Sequence, residues 1–226
     1  MANVITIDGP AGSGKTTIGR MLSKKINYNF LDSGILYRAV AYIAVKNNYS
    51  SSNPEDIKKL VQDIESGVVK LVEIENECQI EIGGKILTTE LKTELVSKGA
   101  AEFSPFPEIR ETVRKIQRRE SETKNIIVAG RDIGTKVFPD SNVKFFINLS
   151  VEERAKRRVA QQAKMGEVVD YEKVLAGLKV RDDMDINREH GRMHTTDESI
   201  IIQNDKPLEE VLDTCEKYVR QRITFP

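Results

Sequence analysis

The feature that most constrains the fold lies near the N-terminus, where the apolar run "NVITID" is followed by "GPAGSGKTT". The first segment is apolar and β-branched and stops at a glycine, which is typical of a fully buried strand. An apolar pattern of helical period then predicts a helix over 16–26. A glycine-rich loop between a buried strand and a helix is a building unit of parallel sheets. We therefore predict an α/β fold.

The loop itself matches the pattern G-x-x-x-x-G-K-[ST] at every defined position. Its glycines let backbone N–H groups converge on phosphate oxygens, and the helix N-terminus adds a favourable dipole. Lys15 would reach the β- and γ-phosphates, and the Thr16 hydroxyl would bind Mg²⁺. The residues expected to bind the triphosphate are Gly9, Pro10, Ala11, Gly12, Ser13, Gly14, Lys15, Thr16 and Thr17. The motif indicates a nucleoside triphosphate without naming the acceptor.

The rest of the chain continues the α/β pattern around one different segment. "NFLDSG", "NIIVAG", "VKFFINLS" and "SIIIQND" are strand candidates separated by helical stretches, which favours a parallel sheet of about five strands. "VKLVEIENECQIEIGGKILTT" alternates apolar and polar residues and contains Gly83-Gly84, which predicts antiparallel hairpins. We predict a single domain over 1–226 with an inserted subdomain at about 60–106.

Composition excludes several classes of partner. Lys plus Arg equals Asp plus Glu at 35 each, so no overall charge favours nucleic acid or an anionic membrane. No apolar run approaches the roughly 20 residues that span a bilayer. Cys78 and Cys215 are isolated, without metal or redox spacing. We expect a cytoplasmic monomer that binds neither nucleic acid nor membrane.

Arginines bear on the identity of the acceptor. Phosphoryl transfer between two nucleotides gathers about six negative charges, and at ~4 Å with an effective dielectric near 20 each like-charge pair opposes assembly by roughly 4 kcal/mol. Such an enzyme needs several arginines in one cleft. Candidates at strand ends and in the later helices are Arg38, Arg131, Arg154, Arg157, Arg158, Arg181 and Arg188.

The stretch "VRDDMDINRE" places three of the relevant side chains on one helix face. Arg181, Asp185 and Arg188 fall at i, i+4 and i+7, whereas Asp182, Asp183 and Glu189 point elsewhere. Charge runs on helices are usually solvated surface, so this spacing alone allows a site without requiring one.

No strong general base accompanies these arginines. His190 and His194 lack the third ligand and the adjacent glutamate of a zinc site. A phosphate acceptor already carries an anionic oxygen near neutral pH and needs no base. Two alternatives stay open. The acceptor could be a metabolite alcohol with Asp32 or Asp132 as base, or the chain could be a nucleotide-regulated switch, although the N-K-x-D motif of GTPases is absent.

Taken together, six segments resemble the bacterial cytidylate kinases, which make CDP or dCDP from CMP or dCMP and ATP. The segments are "ITIDGPAGSGKTT", "LDSGILYRAVA", "FPEIRETVRKIQR", "AGRDIGTKVFPD", "VKFFINLSVEERAKRR" and "VRDDMDINRE". They cover most of the chain in the family's order. The resemblance implies a P-loop NTPase-type sheet, an antiparallel monophosphate-binding subdomain and a helical lid over about 154–168, with Mg²⁺ accompanying ATP.

The resemblance also implies a role for each matching position. The residues expected around CMP are Ser33, Tyr37, Arg38, Arg110, Arg131, Asp132, Arg181, Asp185 and Arg188. Within that set, Arg38, Arg131 and Arg188 would bind the phosphate, Arg110 and Asp132 the cytosine edge, and Arg181 and Asp185 the ribose. The side chains expected to act in catalysis are Lys15, Arg131, Arg154, Arg158 and Arg188, with Arg157 on ATP.

The chain departs from the family pattern at three places. Ala129 stands where the family often has an acid before "GRD". Ala101 stands where the family often has a serine that touches the base, and Ser104 is a candidate substitute. After Arg188 the family usually has a Ser-Pro-containing segment, whereas this chain has "HGRMHTTDES".

Overall fold

A computed structural model describes residues 2–164 and 166–224. The strands within these residues are β1 (Val4–Asp8), β2 (Asn29–Asp32), β3 (Val69–Ile74), β4 (Glu77–Ile82), β5 (Lys85–Leu87), β6 (Ile126–Gly130), β7 (Val143–Asn148) and β8 (Ile200–Gln203). The helices are α1 (Lys15–Ile26), α2 (Gly34–Lys46), α3 (Pro54–Asp63), α4 (Glu94–Phe103), α5 (Pro107–Glu120), α6 (Val151–Lys164), α7 (Tyr171–Asn187) and α8 (Leu208–Arg222). One or two α-helices lie between β1 and β2, between β2 and β3, between β5 and β6 and between β7 and β8, whereas β3, β4 and β5 follow one another without an α-helix.

The centre of the molecule is a parallel sheet with the strand order β2-β6-β1-β7-β8. Its five strands confirm the predicted number and direction. Because parallel strands end at the same edge, the loops after β1, β2 and β6 lie side by side. In this order the residues that follow β6 lie between the glycine-rich loop after β1 and the residues that follow β2.

The predicted antiparallel segment extends this sheet at one edge. β3 pairs with β4 and β4 with β5, both antiparallel. The turn between β4 and β5 contains Gly83 and Gly84, both at positive φ (61° and 78°), as expected for the hairpin. The segment is continuous with the main sheet because β4 also pairs in parallel with β2, where Phe30 lies opposite Glu77. The antiparallel hairpins are therefore attached to the main sheet through β2, the strand that precedes α2.

Side chains of β6 show how the sheet supports a layer on each face. Ile126 and Val128 belong to a core cluster that includes residues of α2, α3 and α5. Ile127 and Ala129 belong to a second cluster, formed with α1 and α8. Successive strand residues point to opposite faces, and both faces are covered, which explains the uninterrupted apolar sequence of the strand.

Local signals in the sequence explain where helices begin. At the start of α3 the Asn53 side chain accepts a hydrogen bond from the Glu55 N–H at 3.1 Å, and Pro54 occupies the first turn, as is typical of a helix N-terminus. In α6 the Ser150 hydroxyl accepts from the Glu153 N–H at 3.3 Å. Among the described residues, no helix is both long and apolar enough to cross a membrane.

Candidate active site

The phosphate loop connects β1 to α1 and is held in place by a residue that follows β8. Gly14 has φ 94° and precedes the first turn of α1. A side chain at this position would collide with the Nδ2 atom of Asn204, which donates a hydrogen bond to the Ser13 carbonyl at 2.7 Å. Gly14 is therefore required both by its backbone conformation and by a close neighbour. The segment after β8 fixes the shape of the loop.

Lys15 lies at the start of α1 with its side chain almost fully buried. Its Nζ donates to the Pro10 carbonyl at 3.0 Å, so the ammonium group folds back over the loop. Burial, and secondly the positive charge of Arg131, hold the pKa of Lys15 well below its ordinary value. A bound polyanion would reverse both effects, because it would replace lost hydration and offset the repulsion.

Oxygen donors lie next to the loop where a metal ion would be expected. The Thr16 hydroxyl donates to a carboxylate oxygen of Asp32 at 2.9 Å. Asp32 ends β2, so the neighbouring strand brings its carboxylate to the start of α1. A hydroxyl beside a carboxylate is the oxygen-donor chemistry that Mg²⁺ prefers, and the ion usually keeps its other positions for water and phosphate oxygens. The residues present fit the expected metal.

Arg131, Asp185 and Arg188 form one charged cluster. The Arg131 Nε donates to an Asp185 carboxylate oxygen at 2.6 Å, and the Arg188 Nη1 lies 3.3 Å from the other oxygen. Asp185 is buried on α7, and Arg188 caps that helix. The structure thus brings the residue that follows β6 against the face of α7 that the spacing predicted.

Arg181 lies one turn earlier on the same helix face and has a different environment. Within the described part of the chain it forms no hydrogen bond or ion pair, and the residue is exposed. Its pKa is lowered, first by lost hydration and then by Arg131, with smaller effects from Arg158 and Arg38. Arg181, Arg131, Arg158 and Arg38 are therefore close enough to interact, and the main charges that act on Arg181 include one carboxylate, Asp185. Such an arrangement is suited to an anionic ligand.

Arg110 and Asp132 form a buried ion pair beside this cluster. The Arg110 Nη2 donates to an Asp132 oxygen at 2.6 Å, and their side chains are only 5% and 6% exposed. The Arg110 Nη1 also donates to the Ser104 carbonyl at 3.2 Å, and its guanidinium carbon lies 5.6 Å from the centre of the Tyr37 ring. The contact through Ser104 uses its backbone oxygen, whereas Ala101 is exposed.

The remaining residues expected around the acceptor lie at the start of α2. Ser33 is buried, and its backbone N–H donates to the Ala129 carbonyl at 2.9 Å. The Arg38 Nη1 donates to the Leu91 carbonyl at 2.9 Å and to the Ser97 hydroxyl at 2.8 Å. Arg38 thus links α2 to the segment around α4 while remaining close enough to Arg181 to lower its pKa.

The three arginines at the start of α6 have unlike surroundings. Arg154 is buried, donates to the Leu149 and Ala11 carbonyls at 3.0 Å each, and binds the Asp182 carboxylate with two nitrogens. Arg157 donates to the Asn204 carbonyl at 2.7 Å, and Arg158 is exposed. The contacts of Arg154 favour a structural role over the catalytic one expected from the sequence.

Two comparisons with known proteins bear on the whole chain. The cytidylate kinase family profile matches residues 5–221. The chain belongs to the cytidylate kinase family. It is 39% identical over 199 residues to a cytidylate kinase of Mycoplasmopsis synoviae, covering 88% of each chain. It is 34% identical over 224 residues to a cytidylate kinase of Caldicellulosiruptor bescii, covering 97% of this chain and 98% of that one.

A solved structure agrees with the fold. An uncharacterized protein from Eubacterium ventriosum superposes with a TM-score of 0.54 at 14% identity, over 98% of this chain and all of that one (100%). At this identity the likeness concerns architecture alone. Family membership therefore rests on the sequence comparisons.

Sequence reasoning missed one buried acid of this cytidylate kinase site. Asp8 ends β1, and its carboxylate accepts hydrogen bonds from the Ile133 N–H at 2.9 Å and the Gly134 N–H at 2.8 Å. Burial raises the pKa of the Asp8 carboxyl to about 6, even though these two bonds act in the opposite direction. Asp8 ties the strand before the phosphate loop to the segment that carries Arg131 and Asp132. An acidic residue at the end of an otherwise apolar buried strand was the available signal.

Asp182 and Asn204 were also missed as partners. Asp182 points away from the Arg181–Asp185–Arg188 face, as predicted, but it binds Arg154 rather than solvent. Asn204 contacts the phosphate loop through its side chain and Arg157 through its carbonyl. Helical periodicity gives the face on which a residue lies, whereas its partner on another segment depends on tertiary packing.

Proposed function

We propose that this protein transfers the γ-phosphoryl group of ATP to CMP or dCMP, giving ADP and CDP or dCDP. The observation that carries the proposal is the convergence of Lys15, Arg131 and Arg181: burial lowers the pKa values of Lys15 and Arg181, and the charge of Arg131 lowers both further. A cleft of this kind is stabilised when it receives polyanions. Family membership supports the identity of the two substrates.

The donor triphosphate would lie along the loop from Gly9 to Thr17. Backbone N–H groups and the start of α1 would bind its phosphates, and Lys15 would exchange its contact with the Pro10 carbonyl for phosphate oxygens. When bound by Thr16 beside Asp32, Mg²⁺ supplies charge neutralisation to the phosphates. Asn204 and Arg154 would keep the loop in its binding conformation from outside.

The acceptor phosphate would lie between Arg131 and Arg188. One of its oxygens attacks the γ-phosphorus in line, and the bond from that phosphorus to the oxygen of the departing ADP breaks. A phosphate monoester has a second pKa near 6, so the attacking oxygen is already anionic at neutral pH and no general base is needed. The guanidinium groups align the two phosphates and offset their repulsion.

The base would be read by the buried pair of Arg110 and Asp132. A carboxylate accepts from the exocyclic amino group of cytosine, and a guanidinium donates to ring acceptors on the same edge. The pair is preformed at 2.6 Å and nearly dry, so a base without the matching donor would leave a buried charge poorly satisfied. This argument favours CMP over UMP.

Two segments would frame the acceptor and the transfer. The inserted segment at about 60–106 contacts Arg38 through Leu91 and Ser97, which supports its assignment to the acceptor side. The segment at about 154–168 would act as the lid, with Arg158 facing the cleft. We place the reaction in the cytoplasm, and the buried, unpaired thiols of Cys78 and Cys215 are compatible with a reducing compartment.

The test is an acceptor panel in a coupled assay of ADP formation. CMP and dCMP should be phosphorylated with the highest kcat/KM, UMP less well, and AMP least. ATP consumption should rise only when an acceptor is added. A preference for AMP or UMP would overturn the assignment of the base, and equal hydrolysis with and without acceptor would indicate a nucleotide switch.

A further inference from the structure

The segment after α7 folds back over the end of that helix. The Met193 N–H donates to the Asp185 carbonyl at 2.8 Å, and the Arg192 Nε donates to the Ile186 carbonyl at 2.6 Å. Gly191 directly precedes Arg192 and Met193, is buried, and has φ +71°. Its carbonyl accepts a hydrogen bond from the Arg188 Nε. This turn belongs to the segment that lacks the Ser-Pro pattern.

The turn brings the Gly191 backbone directly onto the guanidinium of Arg110. A Cβ atom on Gly191 would lie 2.5 Å from the Arg110 Nε and closer still to Cζ and Nη2. That guanidinium is 5% exposed and is already held by Asp132, the Ser104 carbonyl and the Tyr37 ring. The space beside the arginine is thus taken up by a residue that has no side chain.

We propose that Gly191 is a positioning residue for acceptor recognition. Because it has no side chain, its backbone packs against the Arg110 guanidinium and holds that group against Asp132, and its carbonyl accepts a hydrogen bond that holds Arg188. The inference rests on the proposed function, in which Arg110 reads the base and Arg188 binds the acceptor phosphate. Gly191 touches neither substrate and acts through these two arginines. Any larger residue at this position displaces the Arg110 guanidinium and weakens CMP binding without altering the phosphate loop.

A merely conformational role for Gly191 predicts something different. The left-handed backbone would strain an alanine there, lowering stability without changing the choice of base. Gly67 provides the matched control: it lies in the inserted segment but is not among the residues expected around CMP, its φ is +84°, and a Cβ built on it would meet nothing within 4 Å. Gly67→Ala carries the same kind of backbone strain but no collision.

The experiment compares Gly191→Ala, Gly67→Ala and the unmodified protein in steady-state kinetics. For Gly191→Ala we expect KM for CMP to rise about tenfold, the scale of one lost hydrogen bond to a charged group, with KM for ATP unchanged. The ratio of kcat/KM for CMP to that for UMP should fall by a similar factor. Gly67→Ala should change neither value. CMP kinetics and base preference in Gly191→Ala equal to those of Gly67→Ala would overturn the inference.

A double-mutant cycle with Arg110→Ala keeps the inference testable if Gly191→Ala folds poorly. Removing the guanidinium removes the collision, so the added alanine should lower the melting temperature of Arg110→Ala only as far as Gly67→Ala lowers that of the unmodified protein. If the added alanine lowers the melting temperature of Arg110→Ala as much as it lowers that of the unmodified protein, the contact is refuted. An unmodified protein that does not phosphorylate CMP refutes the proposed function itself. An active one whose Gly191→Ala variant is unchanged refutes only the inference.

Discussion

The donor and acceptor sides of the cleft are built in different ways. The proposed donor side is one continuous segment, Gly9 to Thr17, in which the backbone would supply most of the binding groups and Lys15 and Thr16 the rest. The acceptor side is assembled from side chains of α2, α5, the residues after β6, and α7, and it depends on ion pairs such as Arg110–Asp132 and Arg131–Asp185. A binding segment that is continuous in sequence depends mainly on its local backbone conformation. A site assembled from distant residues depends on the whole fold to bring their side chains together.

Two contacts join these sides. Asp8 links the strand before the phosphate loop to the N–H groups of Ile133 and Gly134. Arg154 links the loop carbonyl of Ala11 to Asp182 on α7. The difference between the sides suggests that a change in the loop affects every acceptor alike, a change on α7 affects CMP alone, and a change at either link lowers stability.

The largest effect is expected on the donor side. Lys15→Met should reduce kcat/KM by about 10³-fold for CMP and dCMP alike, because the lost charge serves the transferring phosphoryl group. Steady-state assays with each acceptor measure this reduction. Lys25→Met, at a half-exposed lysine that pairs with Asp213 and Glu216, is the control and should keep full activity. A loss that differs strongly between acceptors would break the distinction between the two sides.

The next effect concerns the link formed by Arg154. Arg154→Met removes a buried guanidinium and leaves the partly buried Asp182 carboxylate without its partner, which should cost about 3 kcal/mol of unfolding free energy, the lower end of the range for buried pairs. Denaturant unfolding measures the loss. The double variant Arg154→Met, Asp182→Leu should recover much of it, because no unpaired charge remains.

Lys58→Met, which removes an exposed pair with Glu55, is the control for Arg154 and should show no measurable change. An Arg154→Met protein of normal stability but very low kcat would restore the catalytic role that the sequence suggested. Measuring both the stability and the kcat of Arg154→Met therefore decides whether this arginine joins the donor and acceptor sides or acts in catalysis.

The donor side could be predicted almost completely from the sequence, because its conformation is encoded in adjacent residues. Strand, loop and helix were each signalled locally, and the structure has all three. The members of the acceptor side were named by the family resemblance, and the i, i+4, i+7 spacing put three of them, Arg181, Asp185 and Arg188, on one helix face. The hairpins followed from alternation and the Gly83-Gly84 turn.

What the sequence did not indicate is how residues on different segments pair. Arg154 was expected over the transferring group, but its contacts lie with Ala11 and Asp182, which are 143 and 28 positions away in the chain. The role of Gly191 depends on Arg110 arriving beside it. No local pattern contains this information, because such contacts are set by the packing of helices on the sheet rather than by periodicity.

The link at Asp8 should make the free energy of unfolding depend on pH. Its pKa is raised from 3.8 to about 6 in the folded protein, so the folded state holds a proton that the unfolded state has lost between about pH 4 and 6. Stability from this group is fully present below pH 4 and is lost as pH rises through 6, by up to about 3 kcal/mol. Unfolding free energy measured across pH 4–7 should therefore fall in the unmodified protein relative to Asp8→Asn.

The exposed Asp205→Asn variant is the control for Asp8, because it removes a carboxylate from the surface without touching the link. A constant difference between the unmodified protein and Asp8→Asn across this pH range would mean that the carboxyl is not desolvated as the structure indicates. Comparing the unfolding free energies of the unmodified protein and Asp8→Asn at each pH separates two effects. The protonation of Asp8 contributes a difference that depends on pH, whereas the loss of one oxygen acceptor for a backbone N–H contributes a difference that does not.

The smallest effect should be confined to the acceptor side. Asp185→Ala removes the carboxylate between Arg131 and Arg188, and we expect KM for CMP to rise about tenfold with little change in KM for ATP. The loss combines two contributions of opposite sign. Without Asp185 the nucleoside loses an acceptor for its ribose, but the neighbouring guanidinium groups become less neutralised and attract phosphate more strongly.

Asp185→Asn separates these contributions, because it keeps a ribose hydrogen-bond acceptor while removing the charge. If the ribose contact dominates, Asp185→Asn should retain most of the CMP affinity, and inorganic phosphate should inhibit both variants at least as well as the unmodified protein. If Asp185 acts mainly by aligning Arg131 and Arg188, both variants should lose kcat together with CMP affinity. Unchanged CMP kinetics in Asp185→Ala would contradict the assignment of this α7 face to the acceptor, and with it the division of the cleft into two differently built sides.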